Sequence, residues 1–447
     1  MIPVLSTEEM AAVDAAAPEP VEVLIGRAGG AVARSARRLL GGTYGRHVTV
    51  VAGKGNNGAD GREAAVRLRR WGAVVTVLEA TDAPDRLAPC SLVIDAAYGT
   101  GLRGEYHAPR PAPGTLVLAV DIPSGFNGDS GARQGAPMSA HHTVTFAAPK
   151  TGLLMPPCRF SAGTIEVADI GLDVGEPDLG WVTDGDLRRW IPRRPVDHHK
   201  WRSAVALIGG SAGMQGAGRL AARAAMRCGA GYVRWLSIDG QPDPADAVEV
   251  VGQSFDTEAF AADAHRFGAV IVGPGLGLTD PARAALAAAL DTDRPLVVDA
   301  DGLTLLAELG PVTASRTGHT VLTPHDGEYA RLASAPVGPD RVGAARSLAV
   351  TYGATVLLKG PTTVVATPDG TARLVTAGTQ ALATAGTGDV LSGILGAFLA
   401  QGIEPPEAAA AAAQVHGRAG ATPGTTTVLA GDLAGRAGAL LERLVGR

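Results

Sequence analysis

The stretch Ala385-Gly-Thr-Gly-Asp-Val-Leu-Ser-Gly393 runs straight into the apolar segment 394–400. Two glycines leave the backbone nearly bare ahead of a run that reads as a helix, with Asp389 in its first turn. Free N–H groups at a helix start attract anions, and glycine lets a phosphate approach them closely. A carboxylate is out of place in such an anion hole unless it removes a proton from a hydroxyl facing a phosphoryl group. The plainer reading makes Asp389 the N-cap of the helix, a role aspartate favours.

A second constellation lies in Val50-Val-Ala-Gly-Lys-Gly-Asn-Asn-Gly-Ala-Asp-Gly61. Gly53-x-Gly55-x-x-Gly58 is the weak signature of a dinucleotide-binding turn, with Glu79 at the end of the next expected strand. Asn56, Asn57 and Asp60 add amides and a carboxylate that can hold a ribose, a phosphate-bound water or a cation. The theme recurs at Ile94-Asp-Ala-Ala-Tyr-Gly-Thr-Gly101 and Val120-Asp-Ile-Pro-Ser-Gly125. In a parallel sheet these turns share the carboxyl-terminal edge, so Asp60, Asp95, Asp121 and Ser124 are expected to converge there. Clustered hard oxygens suit a cation, although each aspartate alone could simply cap a helix.

Of 39 basic residues only four are lysines: Lys54, Lys150, Lys200 and Lys359. Where arginine fills the ordinary surface, a lysine can mark a place that needs a compact ammonium.

The elements that must position these residues alternate between strands and helices. A capping box, Ser6-Thr-Glu-Glu9, opens a first helix, and a second covers about 21–40. Strands are expected at 47–52, 74–78, 91–96, 115–120 and 143–147, with an arginine-rich helix at 63–71. Such alternation predicts a parallel, doubly wound sheet. The pattern relaxes into prolines and charges at 176–198, read as a linker. It restarts at 203–208 with a Gly-rich turn and a long Ala/Arg helix, then strands at 269–272, 296–298, 320–322, 355–358 and 363–366. The fold class is therefore α/β with two domains, 1–175 and 199–447.

Composition removes several function classes. A chain of 447 residues, 46% apolar and 19% charged, has room for two proper cores. A net charge of −5 gives no basic footprint for nucleic acid. Three scattered cysteines outline neither a disulfide framework nor a zinc site. With no signal peptide and no bilayer-length apolar run, a soluble cytoplasmic protein with no membrane partner is expected.

GNNGADG, DAAYGTG and VDIPSG, in this order, resemble the NAD(P)H-hydrate epimerase domain. GGSAGMQGAGRLAARAAMRCGAGYV, GPGLG, VVDADGLTLL, TPHDGE, LKGPTTVV and AGTGDVLSG resemble the ribokinase-like NAD(P)H-hydrate dehydratase. Together they cover nearly the whole chain and look like the bifunctional family that repairs hydrated nicotinamide cofactors.

The resemblance implies a Rossmann-like first domain that binds NADH or NADPH hydrate through Asn56, Asn57, Gly58, Ala59 and Asp60. Gly99, Thr100, Gly101, Leu102, Arg103, Gly104, Glu105 and Asp121 complete that site. It implies a potassium ion on Asn57, Asp95 and Ser124. Epimerisation at C6 of the nicotinamide ring needs an acid/base pair, for which Asp121 and then Lys150 are the candidates. In the ribokinase-like domain it implies hydrate binding near Ala217, Gly275, His325 and Asp389. The nucleotide is implied on Lys359, Gly360, Pro361, Thr362, Thr363 and Gly388. Asp389 would take the proton from the C6 hydroxyl as that oxygen attacks the phosphoryl donor, with Mg2+ present. ADP as donor and a homo-oligomeric state are likewise implied by relatives.

Some positions depart from the family pattern: Ala59 where glycine is usual, LIGRAG for LMERAG, and shortened segments at 77–91 and 105–116 with prolines 109, 111 and 113. The competing readings are a hydroxymethylpyrimidine or sugar kinase with a fused regulatory domain, and a first half that only binds nucleotide. His325-Asp-Gly-Glu328 stands where sugar kinases of this fold carry N-x-x-E, which disfavours the kinase. A Rossmann oxidoreductase lacks its His or Tyr-x-x-x-Lys constellation.

Overall fold

A computed structural model of the chain describes residues 1–245, 247–421 and 427–446. It divides into two compact units, Ile2–Pro177 and the stretch from Asp178 onward.

The first unit is built on six parallel strands. Their spatial order is Val74–Glu79, His47–Ala52, Leu92–Ala96, Leu116–Val120, His142–Phe146 and Thr164–Ala168. Val48, Val50, Ile94, Leu118 and Val144 face the helices Val21–Leu40 and Asn56–Arg70 in one core. The opposite face is covered by loops, where Leu87, Val93, Tyr106, Val117 and Met138 cluster. The prolines of 109–113 account for the missing helix there, since each lacks an N–H and fixes φ. The chain order reverses direction between the strands His47–Ala52 and Leu92–Ala96, so a crevice opens beyond their carboxyl ends.

The arginine-rich helix begins at Asn56 and not at residue 63 as its sequence implied. The glycines expected in a loop are inside it. A methyl group on Gly58 would lie 1.9 Å from the Gly53 carbonyl oxygen, and one on Gly61 would lie 2.5 Å from Ala96 Cβ. Bare glycines thus let the helix start sit directly on the strand ends.

The second unit carries a larger sheet. In order its strands are Leu179–Trp181, Ala372–Val375, Thr363–Ala366, Thr355–Leu358, Thr320–Leu322, Leu296–Val298, Ala269–Val272, Ala204–Ile208, Tyr232–Ser237 and Val251–Ser254. Thr363–Ala366 alone runs antiparallel to both neighbours. The helices Gln215–Arg227, Thr387–Ala400, Pro405–Gly420 and Ala430–Val445 pack on one face and hold the main core. Helix contact is close: a methyl on Gly393 would lie 2.1 Å from the Ala221 carbonyl oxygen.

The 176–198 linker is a correction. Leu179–Trp181 joins the sheet beside Ala372–Leu374, and Asp184–Trp190 is a helix. Val182, Leu187 and Ile191 are buried in the core, an apolar spacing that the flanking prolines and charges concealed. Strands at 164–168, 232–237, 251–254 and 372–375 also went unread. Among the described residues no helix is long and apolar enough to cross a membrane.

Candidate active sites

The crevice of the first unit is a cavity of about 1060 Å³. The turn 53–57, the turn 97–102, Asp60, Asp121 and Lys150 line it, together with Met10 and Asp14 of the first helix. Asn56, Asn57, Asp60, Gly99, Thr100, Gly101, Leu102 and Asp121 are therefore brought together as the sequence implied. Gly58 lies beneath, packed on Gly53. Ala59, Arg103, Gly104 and Glu105 do not line the cavity; the last three are exposed.

At one end of the cavity Asp121 closes the strand Leu116–Val120 with φ at +66°, a strained conformation that aspartate tolerates better than most residues. Its Oδ1 accepts hydrogen bonds from Lys150 Nζ at 2.6 Å and Thr145 Oγ1 at 2.9 Å. Lys150 is only 3% exposed, and Asp121 is its direct ion-pair partner, with Asp14 and Asp60 within reach of its charge. Asp121 Oδ2 faces Gly99, where a methyl would lie 3.5 Å away. Asp60 is buried, and its carboxyl is pushed up to about 8 by burial first and by the charges of Asp121 and Asp14 next. Asp14 is raised as well, again chiefly by burial.

Beneath this floor Asp95 is fully buried, which raises its pKa. Its Oδ2 accepts the Ser124 N–H at 2.9 Å, and Ser124 Oγ bridges the Tyr98 N–H and carbonyl. Both amide atoms of Asn57 are buried without a hydrogen-bond partner. Among the described residues no group of three His, Cys, Asp or Glu side chains could hold a metal.

The site of the second unit is the start of the helix Thr387–Ala400. Gly386 is its N-cap, in the left-handed region at φ +88°, so Asp389 stands at the third helical position and caps nothing. The plain N-cap reading of Asp389 therefore fails. Asp389 is pushed up to about 7, by burial first and by Asp299 second, with Lys359 opposing. Lys359 Nζ donates to Asp299 Oδ1 at 2.8 Å and lies 3.4 Å from Glu328. A methyl on Gly388 would be 3.9 Å from that ammonium.

Ala217 and Gly275 meet across 3.0 Å when a Cβ is built on Gly275, whose φ is +58°. Leu220, one turn beyond Ala217, touches the Gly386 position. His325 caps the helix Asp326–Ala333: its Nδ1 accepts the Gly327 N–H, and Glu328 accepts the His325 N–H in return. Gly360 and Pro361 are exposed, Thr363 is half-buried and Thr362 is buried.

A family described as NAD(P)H-hydrate dehydratase matches residues 205–439, and one described as YjeF-related protein N-terminus matches 21–88 and 78–152. A bifunctional NAD(P)H-hydrate repair enzyme Nnr of Mycobacterium tuberculosis is 39% identical over 407 residues, spanning 85% of this chain and 84% of its own length. The chain belongs to this bifunctional repair-enzyme family. The protein of the same name from Escherichia coli is 34% identical over 87% of this chain and 84% of its own length. A solved ADP/ATP-dependent NAD(P)H-hydrate dehydratase of Bacillus subtilis, co-crystallised with ATP/Mg2+, matches with a TM-score of 0.53 and 29% identity. It covers 59% of this chain and 98% of that structure.

Several residues of these sites were not singled out from sequence. Asp14 arrives from the first helix, far from any motif. Thr145 lies in a strand and reads as ordinary β-sequence. Asp299, Ser392 and Glu328 lie inside the family motifs. An Asp directly after the strand Leu296–Val298 was the available signal for Asp299, which is 2% exposed and also accepts from Ser392 Oγ at 2.6 Å. His416, half-buried and pushed down to about 4 chiefly by desolvation, shares a hydrogen bond with the Thr387 carbonyl at 2.8 Å.

Proposed function

We propose that the chain repairs hydrated nicotinamide cofactors. The unit at 1–175 interconverts the R and S hydrates of NADH and NADPH, and the unit at 199–447 dehydrates the S form at the expense of ADP. The observation that carries the reading is Asp389, half-ionised near neutral pH beside the Gly386–Gly388 turn and the Lys359 ammonium. That is the state a general base needs.

Asp389 takes the proton of the C6 hydroxyl while that oxygen attacks the terminal phosphoryl group, and the bond to the nucleoside monophosphate breaks. The phosphate then departs with the C6 oxygen as a proton leaves C5, which restores the C5–C6 double bond. Backbone N–H groups of the glycine turn offset the charge on the transferred group. Ala217, Gly275 and His325 are the residues assigned to the hydrate, and Lys359–Thr363 with Gly388 to the nucleotide. Mg2+ would arrive with the nucleotide phosphates, because such ions need only one or two carboxylates from the protein.

In the first unit Asp121 and Lys150 form the acid/base pair at C6. The hydrate lies along Asn56–Asp60 and Gly99–Glu105. Asn57, Asp95 and Ser124 fit a potassium ion: the orphaned, buried Asn57 Oδ1 and the buried Asp95 carboxyl offer hard oxygens that a cation would satisfy. When bound, that ion supplies a fixed positive charge beneath the cavity. A cytoplasmic homo-oligomer belongs to the same reading, and light scattering checks the assembly.

The deciding experiment supplies purified S and R hydrates with ADP or ATP and follows recovery of reduced nicotinamide absorbance. Recovery from both forms establishes the two activities and identifies the donor. Recovery from S alone reduces the first unit to a binding module, and none from either returns the metabolite-kinase reading.

A further inference from the structure

Glu79 takes no part in the chemistry above, although it stands where an acidic residue follows the glycine turn of a dinucleotide-binding unit. It ends the strand Val74–Glu79 and pairs in register with Ala52, the residue before Gly53. Val75 and Val77 pack on the core beneath the helix Asn56–Arg70, and strand alternation turns Glu79 to that same side. There Arg62 holds it. Nη2 donates to both Glu79 carboxylate oxygens at 2.7 Å, and Nη1 donates to the Gly53 carbonyl at 2.7 Å. The carboxylate is thereby tied to the glycine turn and, with Ala80 and Thr81, lines the cavity, whereas Arg62 does not. An ion pair this exposed contributes little to stability, so stability does not account for the second anchor on Gly53.

The span of the cavity fits a dinucleotide. Between the ends of Val74–Glu79 and Leu116–Val120 lie three strand spacings, roughly 14 Å. A dinucleotide whose pyrophosphate rests on the turn 53–57 has one ribose on either side of it. With the nicotinamide at Asp121, the adenosine ribose falls at Glu79. We infer that Glu79 accepts the 2′-hydroxyl of that ribose and turns away a 2′-phosphate, so that the first unit favours the hydrate of NADH over that of NADPH, with Arg62 as the positioning residue. Both terminal nitrogens of Arg62 are engaged, so its charge does not answer the extra phosphate. Lys54, also on the cavity, meets the pyrophosphate that both cofactors carry and does not discriminate. This specificity rests on the hydrate-binding reading above.

Initial rates of R-to-S conversion test the inference in the full chain and its Glu79→Gln and Glu79→Ala variants. The two forms are separated by chromatography without a phosphoryl donor, and the uncatalysed rate is subtracted. In the wild type, kcat/KM is expected to be at least about tenfold higher for NADH hydrate, since a like charge placed against the wrong ligand discriminates strongly. Glu79→Ala should bring the ratio to within about threefold of one or invert it, as Arg62 is released to the 2′-phosphate, with the change in KM and not in kcat. Glu79→Gln keeps the shape and should lose the bias as well. A wild-type ratio near one, or a bias that Glu79→Ala leaves unmoved, would overturn the inference while epimerisation stands. If neither hydrate is converted, the epimerase reading falls, and calorimetric titration of NADH and NADPH decides the ribose assignment. A wild-type preference for NADH that Glu79→Ala erases keeps it, because the two proteins differ only in the first unit; equal affinities overturn it. For the positioning part, Arg62→Met is expected to raise KM for NADH hydrate about tenfold with kcat unchanged. A lower melting temperature with unchanged KM would mean a merely structural pair.

Discussion

Replacing Asp389 by Asn should make the protein more stable at high pH and inactive as a dehydratase. The native carboxyl titrates near 7 against an ordinary 3.8, mainly through burial. Between those values the folded chain holds a proton that the unfolded chain has released. Stability conferred by the neutral form is therefore present at low pH and lost as pH rises to about 7, then constant. Asparagine carries no such dependence. The gap between variant and wild type grows by 1.36 kcal/mol per pH unit over the interval, so about 3 kcal/mol between pH 5 and pH 8. At roughly 2–4 °C per kcal/mol for a unit of this size, the melting temperatures should diverge by about 6–12 °C. The assay is differential scanning calorimetry of the nucleotide-free full chain, reading the transition that adenine nucleotide shifts. Groups common to both proteins cancel in the difference. A gap that stays constant from pH 5 to pH 8 would refute the reasoning, because the carboxyl would then be ionised throughout. The same titration makes wild-type dehydration rise by about tenfold between pH 6 and pH 8, while the variant loses roughly a hundredfold or more.

Three further outcomes are expected. Asp121→Asn should abolish R-to-S conversion by at least about a hundredfold while leaving dehydration of the S form intact, measured on the separated hydrates; equal loss of both would mean one shared site. Exchanging potassium for lithium should depress epimerisation in the wild type but not further in Asn57→Ala, checked by initial rates at constant ionic strength. Gly393→Ala drives a methyl to 2.1 Å from the Ala221 carbonyl and should cost about 2–3 kcal/mol of stability in urea unfolding.

What the sequence made legible was local and repetitive. The glycine turns, the strand-end aspartates and the anion turn before Thr387 each announce themselves within a dozen residues. The buried β-runs did likewise, from His47–Ala52 to Thr320–Leu322. Short or sparsely apolar strands such as Leu179–Trp181 and Val251–Ser254 carry no such signal, because their sheet neighbours and not their own pattern make them strands. The first helix also escaped as a part of the site. Its capping box is plain, yet only tertiary packing brings Met10 and Asp14 over the cavity. Lys359 was found but placed with its sequence neighbours, whereas side-chain direction joins it to Asp299, sixty residues earlier in the chain. Helix register behaved the same way: nothing in Asn56–Gly61 favours a helix over a turn until the Gly53 and Ala96 surfaces are there to receive it.

The scarcity of lysine has a practical corollary. Three of the four side-chain amines stand in or against a candidate site: Lys54 and Lys150 at the first cavity, and Lys359 at the anion turn. The fourth, Lys200, lies over the rings of Trp201 and Tyr232. An acylating reagent applied to the folded protein would thus mark few positions, each read in its own peptide after cleavage at arginine. Protection of Lys54 would report a guest in one unit, and protection of Lys359 a guest in the other, while Lys150, 3% exposed and paired with Asp121, is shielded already. Lys200 would serve as the internal reference, so the protein carries its own occupancy gauge.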